Sequence, residues 1–357
     1  MLELFRQFPG LAESLPHVAL GSWPTPAYRL ERLSGQSNIF IKNDGYCGPL
    51  YGGNKIRKLE FLLAQAIAQG HKEVMTFGVA GSNHALATEL YAEKLGLRCV
   101  SILTSQTNSR YVAKNLLAGL STNAELHHFD SETAALQSVK AISLQHKQSA
   151  GIEPMLIPGG GSSAAGTVGF VNAAFELARQ IEEKIIPPPD KLYVALGTMG
   201  TAAGLQLGIR ACGLAIELVP VRVVRDSIAN VAAMEKLYNE TNRLLHRCDT
   251  AFPLIPFAAP VIRHDQFGER YAIFTKEGMA AKRLLAEKEG LSLEGTYTAK
   301  TIAALLEDLQ NGSLDGKNAL YWHTYNLQPV PDTGDYKKLP PGFHRYFESP
   351  VQELDTD

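Results

Sequence analysis

The chain has 357 residues, 45% hydrophobic and 20% charged, which suits two buried cores better than one. A net charge of −2 offers no basic surface to nucleic acid, and no uninterrupted apolar stretch is long enough to cross a bilayer. Four scattered cysteines (Cys47, Cys99, Cys212 and Cys248) form no Cys-x-x-Cys pair and follow a start that does not read as a secretory leader; the expectation is reduced thiols, a cytoplasmic protein and no metal.

Residues 15–35 read as an extended lead-in, because Pro16, Pro24 and Pro26 exclude helix there. A short strand at 39–41 gives way to Lys42-Asn43-Asp44-Gly45 as a turn. Gly52-Gly53-Asn54-Lys55 then reads as a glycine turn, with Asn54 as the N-cap of a helix. Apolar Ile56, Leu59, Leu63 and Ile67 mark one buried face of that helix. Lys55 sits beside the positive end of the helix dipole, which disfavours its ammonium form. A solvated, lysine-bearing helix is the plain reading of the stretch; an amine primed to attack an aldehyde is the functional one.

Strand–helix alternation follows. Strands at 74–79, 99–103, 125–129 and 155–157 alternate with helices near 83–95, 111–118, 134–145 and 165–183. After Pro187-Pro188-Pro189, strands at 192–196 and 218–224 resume, with helices ending near 211 and spanning 228–245. The proline-rich stretch 250–275 has no assignment; helices near 277–288 and 300–309 precede a last strand at 319–322. Apolar strands alternating with helices predict an α/β fold with parallel sheets covered on both faces. Sites in such folds lie in loops at the carboxyl ends of strands.

Gly81-Ser82-Asn83-His84 opens a helix, either as a simple Ser82 cap or as a site for a carboxylate. Pro158-Gly159-Gly160-Gly161-Ser162-Ser163-Ala164 contains Gly-x-Gly-x-x-Ala, which makes a nicotinamide-dependent oxidoreductase a competing expectation. Against it, the next strand ends in Gly197-Thr198, without the acid that would hold a ribose. Gly197-Thr198-Met199-Gly200-Thr201 reads as a phosphate cradle or as a plain tight connection. Tyr271, Tyr297 and His323-Thr324 complete the candidates, and the histidines lack metal spacing.

Taken in register from Trp23-Pro24-Thr25-Pro26 to His323-Thr324, these motifs resemble the fold-type II pyridoxal-phosphate enzymes, a tryptophan synthase β-like fold. The branch resembled is that of D-cysteine desulfhydrase and 1-aminocyclopropane-1-carboxylate (ACC) deaminase. Its most specific part is Gly-Gly-Asn-Lys-Ile-Arg-Lys-Leu-Glu-Phe-Leu, residues 52–62. The resemblance implies pyridoxal 5'-phosphate held covalently on Lys55, with Asn54 beside it. Asn83 would meet the ring hydroxyl, Thr324 the ring nitrogen, and Thr198, Met199, Gly200 and Thr201 the phosphate. Ser82, Asn83 and His84 would meet the substrate carboxylate, and Tyr271 and Tyr297 would flank the substrate. Also implied are a large cofactor domain (1–59 and 161–357), a small inserted domain (60–160) and a homodimer.

The reaction implied is loss of a β-substituent and ammonia from a small amino acid, giving pyruvate, ammonia and sulfide from D-cysteine. ACC ring opening to 2-oxobutanoate, or a catalytically silent relative, are the alternatives. Thr298, where deaminases carry glutamate, and the His323-Thr324 pair tilt toward the desulfhydrase. Three departures imply a reshaped pocket: Gly81 for a glutamine, Met199 for a glycine, and Tyr325-Asn326 for two glycines. Among Lys42, Lys55, Lys58 and Lys72, Lys55 is the expected cofactor lysine.

Overall fold

Strand–helix alternation runs through the computed structural model, which describes residues 1–34, 38–331 and 334–356. The chain begins with α1 (Glu3–Gln7), α2 (Pro9–Ser14), β1 (Ala27–Arg29), α3 (Glu31–Ser34) and β2 (Asn38–Asn43). Next come α4 (Lys55–Ala68), β3 (Glu73–Val79), α5 (Asn83–Lys94), β4 (Arg98–Thr104) and α6 (Arg110–Gly119). They are followed by β5 (Glu125–Phe129), α7 (Glu132–Ala150), β6 (Met155–Ile157) and α8 (Ala164–Glu182). The remainder comprises β7 (Lys191–Leu196), α9 (Gly200–Ala211), β8 (Glu217–Arg222), α10 (Val231–Cys248), α11 (Lys276–Glu289), α12 (Thr298–Gln310), β9 (Asn318–His323) and α13 (Arg345–Glu348).

Two sheets result. One has the order β1-β2-β9-β7-β8, parallel except for the β1–β2 pair. The other, β5-β4-β3-β6, is wholly parallel and drawn from residues 73–157. The first sheet therefore joins β2, from before that stretch, to β7, β8 and β9 from after it. Its central strands read as apolar runs because both faces are covered. α8 and α9 lie against each other through glycines: a Cβ at Gly204 would come within 2.5 Å of Phe170 Cβ, and one at Gly208 within 2.5 Å of Ala174 Cβ.

Some local expectations change. α3 interrupts the lead-in expected to be extended, whose residue 35 lies outside the described residues. Lys42 and Asn43 continue β2 instead of turning. Lys42 is drawn inward because its Nζ pairs with Glu176 and donates to Thr25 O at 2.6 Å. The 250–275 stretch contains no named helix or strand, only a bridge between Val221 and Arg263.

Candidate active site

Helix α4 presents different chemistry on each side. Lys55 and Lys58, one turn apart, line a cleft of about 1150 Å3. Arg57 points elsewhere: its Nε and Nη2 donate to the two Asp44 oxygens at 3.0 and 2.8 Å, and Nη1 to Glu176 Oε2 at 2.9 Å. Glu60 accepts from the N–H groups of Leu20 and Gly21 and from Trp23 Nε1, at 2.9, 3.1 and 2.9 Å. Arg57 Nη2 also donates to Thr25 Oγ1 at 3.0 Å, so arginine and glutamate of the signature both tie the helix to the lead-in, leaving the lysines to the cleft. The solvated-helix reading fails, since Arg57 and Lys58 are each 1% exposed. Periodicity also misplaces Ile67, which is 46% exposed, while every residue from 56 to 64 is buried.

Asn54 does not cap this helix. Its φ of −64° and ψ of −16° are helical, a conformation unlike the extended one of a capping residue. Its Nδ2 instead donates to Thr201 Oγ1 at 3.0 Å. Gly53 supplies the turn with φ of +83°, and a Cβ there would lie 2.6 Å from Thr324 O. Burial lowers the Lys55 amine to about 8, opposed by the negative charge of Glu294. Burial and then Lys55 push Lys58 well below the ordinary lysine range. Of the other lysines, Lys42 is taken by Glu176, and Lys72 is exposed.

The two glycine loops meet beside these lysines. Ser162 Oγ and Thr198 Oγ1 share a hydrogen bond of 2.7 Å, and Gly200 N–H donates to Ser162 Oγ at 3.2 Å. Lys58 Nζ donates to Ser162 Oγ at 3.2 Å and to Gly160 O at 3.0 Å. A Cβ at Gly160 would meet Thr198 Oγ1 at 2.2 Å, and one at Gly200 would meet Lys58 Nζ at 2.8 Å, so the approach requires glycine at both positions. Met199, between Thr198 and Gly200, adopts φ of 61°, a left-handed conformation costing a non-glycine residue about 1–2 kcal/mol. An amine, an amide N–H and three hydroxyls converge here at the start of α9, a donor set suited to a phosphate.

Across the cleft, Ser82 is both cap and lining: its Oγ accepts from Ala85 N at 3.2 Å. Asn83 Oδ1 accepts from Tyr51 Oη and Asn115 Nδ2, each at 2.9 Å, which orients Nδ2 as the free donor. His84 is held by Thr76 Oγ1 at 2.9 Å, and burial, followed by Lys55 and Lys58, drives it well below the usual imidazole value. Tyr271 and Tyr297 hydrogen-bond through their hydroxyls; burial keeps both phenols protonated. Glu294 accepts from the N–H groups of Thr296, Tyr297 and Thr298 at 2.7, 2.7 and 2.6 Å and so fixes the Tyr297 loop. Thr324 also lines the cleft. All the expected site residues therefore border one cavity.

Several roles were not legible in the sequence: those of Lys58 and Ser162 in the anion cradle, of Tyr51 and Asn115 behind Asn83, and of Glu294 in fixing the Tyr297 loop. Glutamine in place of Gly81 would not fit, because a Cβ there would lie 2.8 Å from Val112 Cγ2 and 2.9 Å from Tyr111 Cε2. Gln106, after β4, brings an amide to that place, accepting from Gly81 N and donating to Tyr111 Oη, each at 2.8 Å. Tyr325 and Asn326 both line the cleft, and Asn326 has a tie of its own. Its Oδ1 accepts from Gly52 N at 2.5 Å and ties the signature turn to the end of β9.

The family described as pyridoxal-phosphate dependent enzyme matches residues 18–324. The chain belongs to this family. D-cysteine desulfhydrase of Klebsiella pneumoniae subsp. pneumoniae is 33% identical over 323 residues, covering 87% of this chain and 93% of the relative. A solved structure described as an ACC deaminase homologue superposes with a TM-score of 0.78 at 29% identity, covering 91% of this chain and 95% of the other. A fungal L-serine ammonia-lyase from Rhizomucor miehei shares the fold, with a TM-score of 0.57 at 17% identity over 94% of this chain and 99% of the other. The family's cofactor is pyridoxal phosphate, and the cradle of Lys58, Gly200 and the hydroxyls beside Lys55 fits it. Membership in this family sets aside the nicotinamide-dependent oxidoreductase. Among the described residues no helix is long and apolar enough to cross a membrane.

Proposed function

We propose that this chain is a pyridoxal-phosphate-dependent lyase acting on D-cysteine, in which D-cysteine and water give pyruvate, ammonia and hydrogen sulfide. The observation that carries the reading is Lys55, its amine lowered to about 8, in one cleft with the head of α5 and the paired tyrosines. Lys55 would hold the cofactor's aldehyde end, Asn83 Nδ2 its ring hydroxyl, Thr324 its ring nitrogen, and the loop 198–201 with Asn54 and Lys58 its phosphate. When bound, the cofactor supplies an electron sink for negative charge at the substrate Cα. Ser82 and the N–H groups at the head of α5 hold the substrate carboxylate. Lys55 Nζ, once the substrate's amine has taken its place on the aldehyde carbon, would be a free amine whose lowered value suits it to accept the Cα proton. The Tyr271–Tyr297 pair, protonated on both oxygens, offers a hydrogen bond to the departing sulfur.

ACC ring opening is the second reading, supported by likeness to the deaminase homologue. Position 298 favours the desulfhydrase, since Thr298 is buried and bonded to Glu294, so no carboxylate follows Tyr297. The two sheets support a small domain at residues 60–160 inserted into a large one formed by 1–59 and 161–357. Four free cysteines support a cytoplasmic location. A homodimer is the assembly we expect from the resemblance, and sedimentation velocity checks it.

Purified protein supplied with the cofactor should be yellow, and borohydride should fix the cofactor on the peptide containing Lys55. K55A should retain no fixed cofactor and no turnover. Colourless wild-type protein would sink the reading. Sulfide and pyruvate from D-cysteine should exceed 2-oxobutanoate from ACC, and the reverse would select the deaminase.

A further inference from the structure

The C-terminal segment lies beyond residues 18–324, yet it reaches the cleft: Arg345, Tyr346, Ser349 and Pro350 line its mouth. On one side it is tied to the loop before α6. Tyr346 Oη accepts from Gln106 N at 3.0 Å, and Asn108 Nδ2 donates to Ser349 O at 2.9 Å. Gln352 N donates to Asn108 O at 3.0 Å, and Asp355 Oδ2 accepts from Arg110 N at 2.6 Å. On the other side a single side chain grips the loop that follows Tyr271. Gln352 Oε1 accepts from Phe274 N at 2.7 Å, and its Nε2 donates to Ala272 O at 3.0 Å.

That loop needs an outside partner. It belongs to the 250–275 stretch, which has no named helix or strand to satisfy its backbone. Ala272 also sits at φ of 63°, a conformation that persists in a non-glycine residue only where its surroundings hold it. The amide of Gln352 supplies both a donor and an acceptor, as a neighbouring strand would. Tyr271 immediately precedes this grip and meets Tyr297 through its hydroxyl.

We propose that Gln352 is a positioning residue, acting through the 272–274 backbone to set the Tyr271 hydroxyl against the substrate. The C-terminal segment is thereby a working wall of the active site that spans the cleft from the α6 side to the Tyr271 side. This inference rests on the reading of Tyr271 as a substrate-facing group.

The test uses the full chain carrying Q352M, which keeps the side chain's length and loses both hydrogen bonds, with K337A as a control elsewhere in the segment. Hydrogen exchange in the absence of cofactor is the first arm. Exchange of the Phe274 amide should accelerate at least about tenfold in Q352M while the amides of β7 and β9 stay unchanged. An unchanged Phe274 amide would overturn the proposal, and general acceleration would show a folding defect in place of positioning. Turnover of D-cysteine by the holoenzyme is the second arm. Q352M should lower kcat by roughly ten- to a hundredfold with KM little changed, as expected for a misplaced group. On a Y271F background the same change should have almost no further effect. An equal loss in both backgrounds, or a loss in K337A, would overturn it. If the wild type turns over neither D-cysteine nor ACC, the lyase reading falls, and the exchange arm alone decides whether Gln352 holds the loop.

Discussion

At the scale of single residues, Lys55 owes its reactivity chiefly to burial, with the start of α4 acting in the same direction. An exposed lysine becomes neutral only near about 10.4, whereas Lys55 does so near 8. The sign follows directly: the amine is protonated and unreactive below that value, and its free-base fraction rises as pH climbs through it. Capture of the cofactor by the cofactor-free protein should therefore accelerate with pH and level off just above 8, followed by stopped-flow absorbance. Levelling off only near 10 would contradict a depressed Lys55. The same lowered value means that protonated Lys55 costs stability below pH 8, a cost relieved as pH rises toward the unfolded value. Asn83 is governed by neighbours in the same way, because Tyr51 and Asn115 occupy its carbonyl oxygen and leave its amide hydrogens for the cleft.

At the scale of elements, the position of Lys55 depends on how closely α8 approaches α4. A Cβ at Gly169 would lie 2.0 Å from Arg57 O, so the two helices meet backbone to backbone with no spare room. G169A should push α4 outward and destabilise the protein by about 1–3 kcal/mol, read from the urea midpoint. It should weaken cofactor affinity as well, since Lys55 and Lys58 travel with that helix; unchanged affinity with lost stability would show that the cleft tolerates the shift. The loop before α9 is under similar constraint. Met199 holds a left-handed turn that glycine would adopt without strain, and it still allows Gly200 N–H to face Ser162.

At the scale of the whole molecule, one buried charge network joins segments far apart in the chain. Arg57 and Lys42 surround Glu176, and Asp44, Thr25 and Trp322 complete the cluster. Burial alone would raise Glu176, but the two cations hold it at about 2. A lowered carboxylate contributes stability above its unfolded value of about 4.3, and the contribution is lost as pH falls toward 2. E176Q should cost about 3–5 kcal/mol at pH 7, because it leaves buried Lys42 without its carboxylate while Arg57 keeps only Asp44. The gap to wild type in urea melts should narrow between pH 4.5 and 2; a constant gap would place the stability elsewhere. Local chemistry sufficed to read much of this protein from its sequence. Strand–helix alternation followed from apolar periodicity, and the loops around Lys55, Ser82 and Thr198 followed from glycine, hydroxyl and helix-start patterns. Tertiary structure decided what depends on distant segments meeting. It turned Asn54 from a cap into a partner of Thr201, buried Lys58 in the anion cradle, and replaced the missing glutamine at 81 with Gln106. It also brought Gln352 to the Tyr271 loop. None of these has a sequence period, because each is a hydrogen bond or a steric limit between elements whose spacing only the packed fold sets.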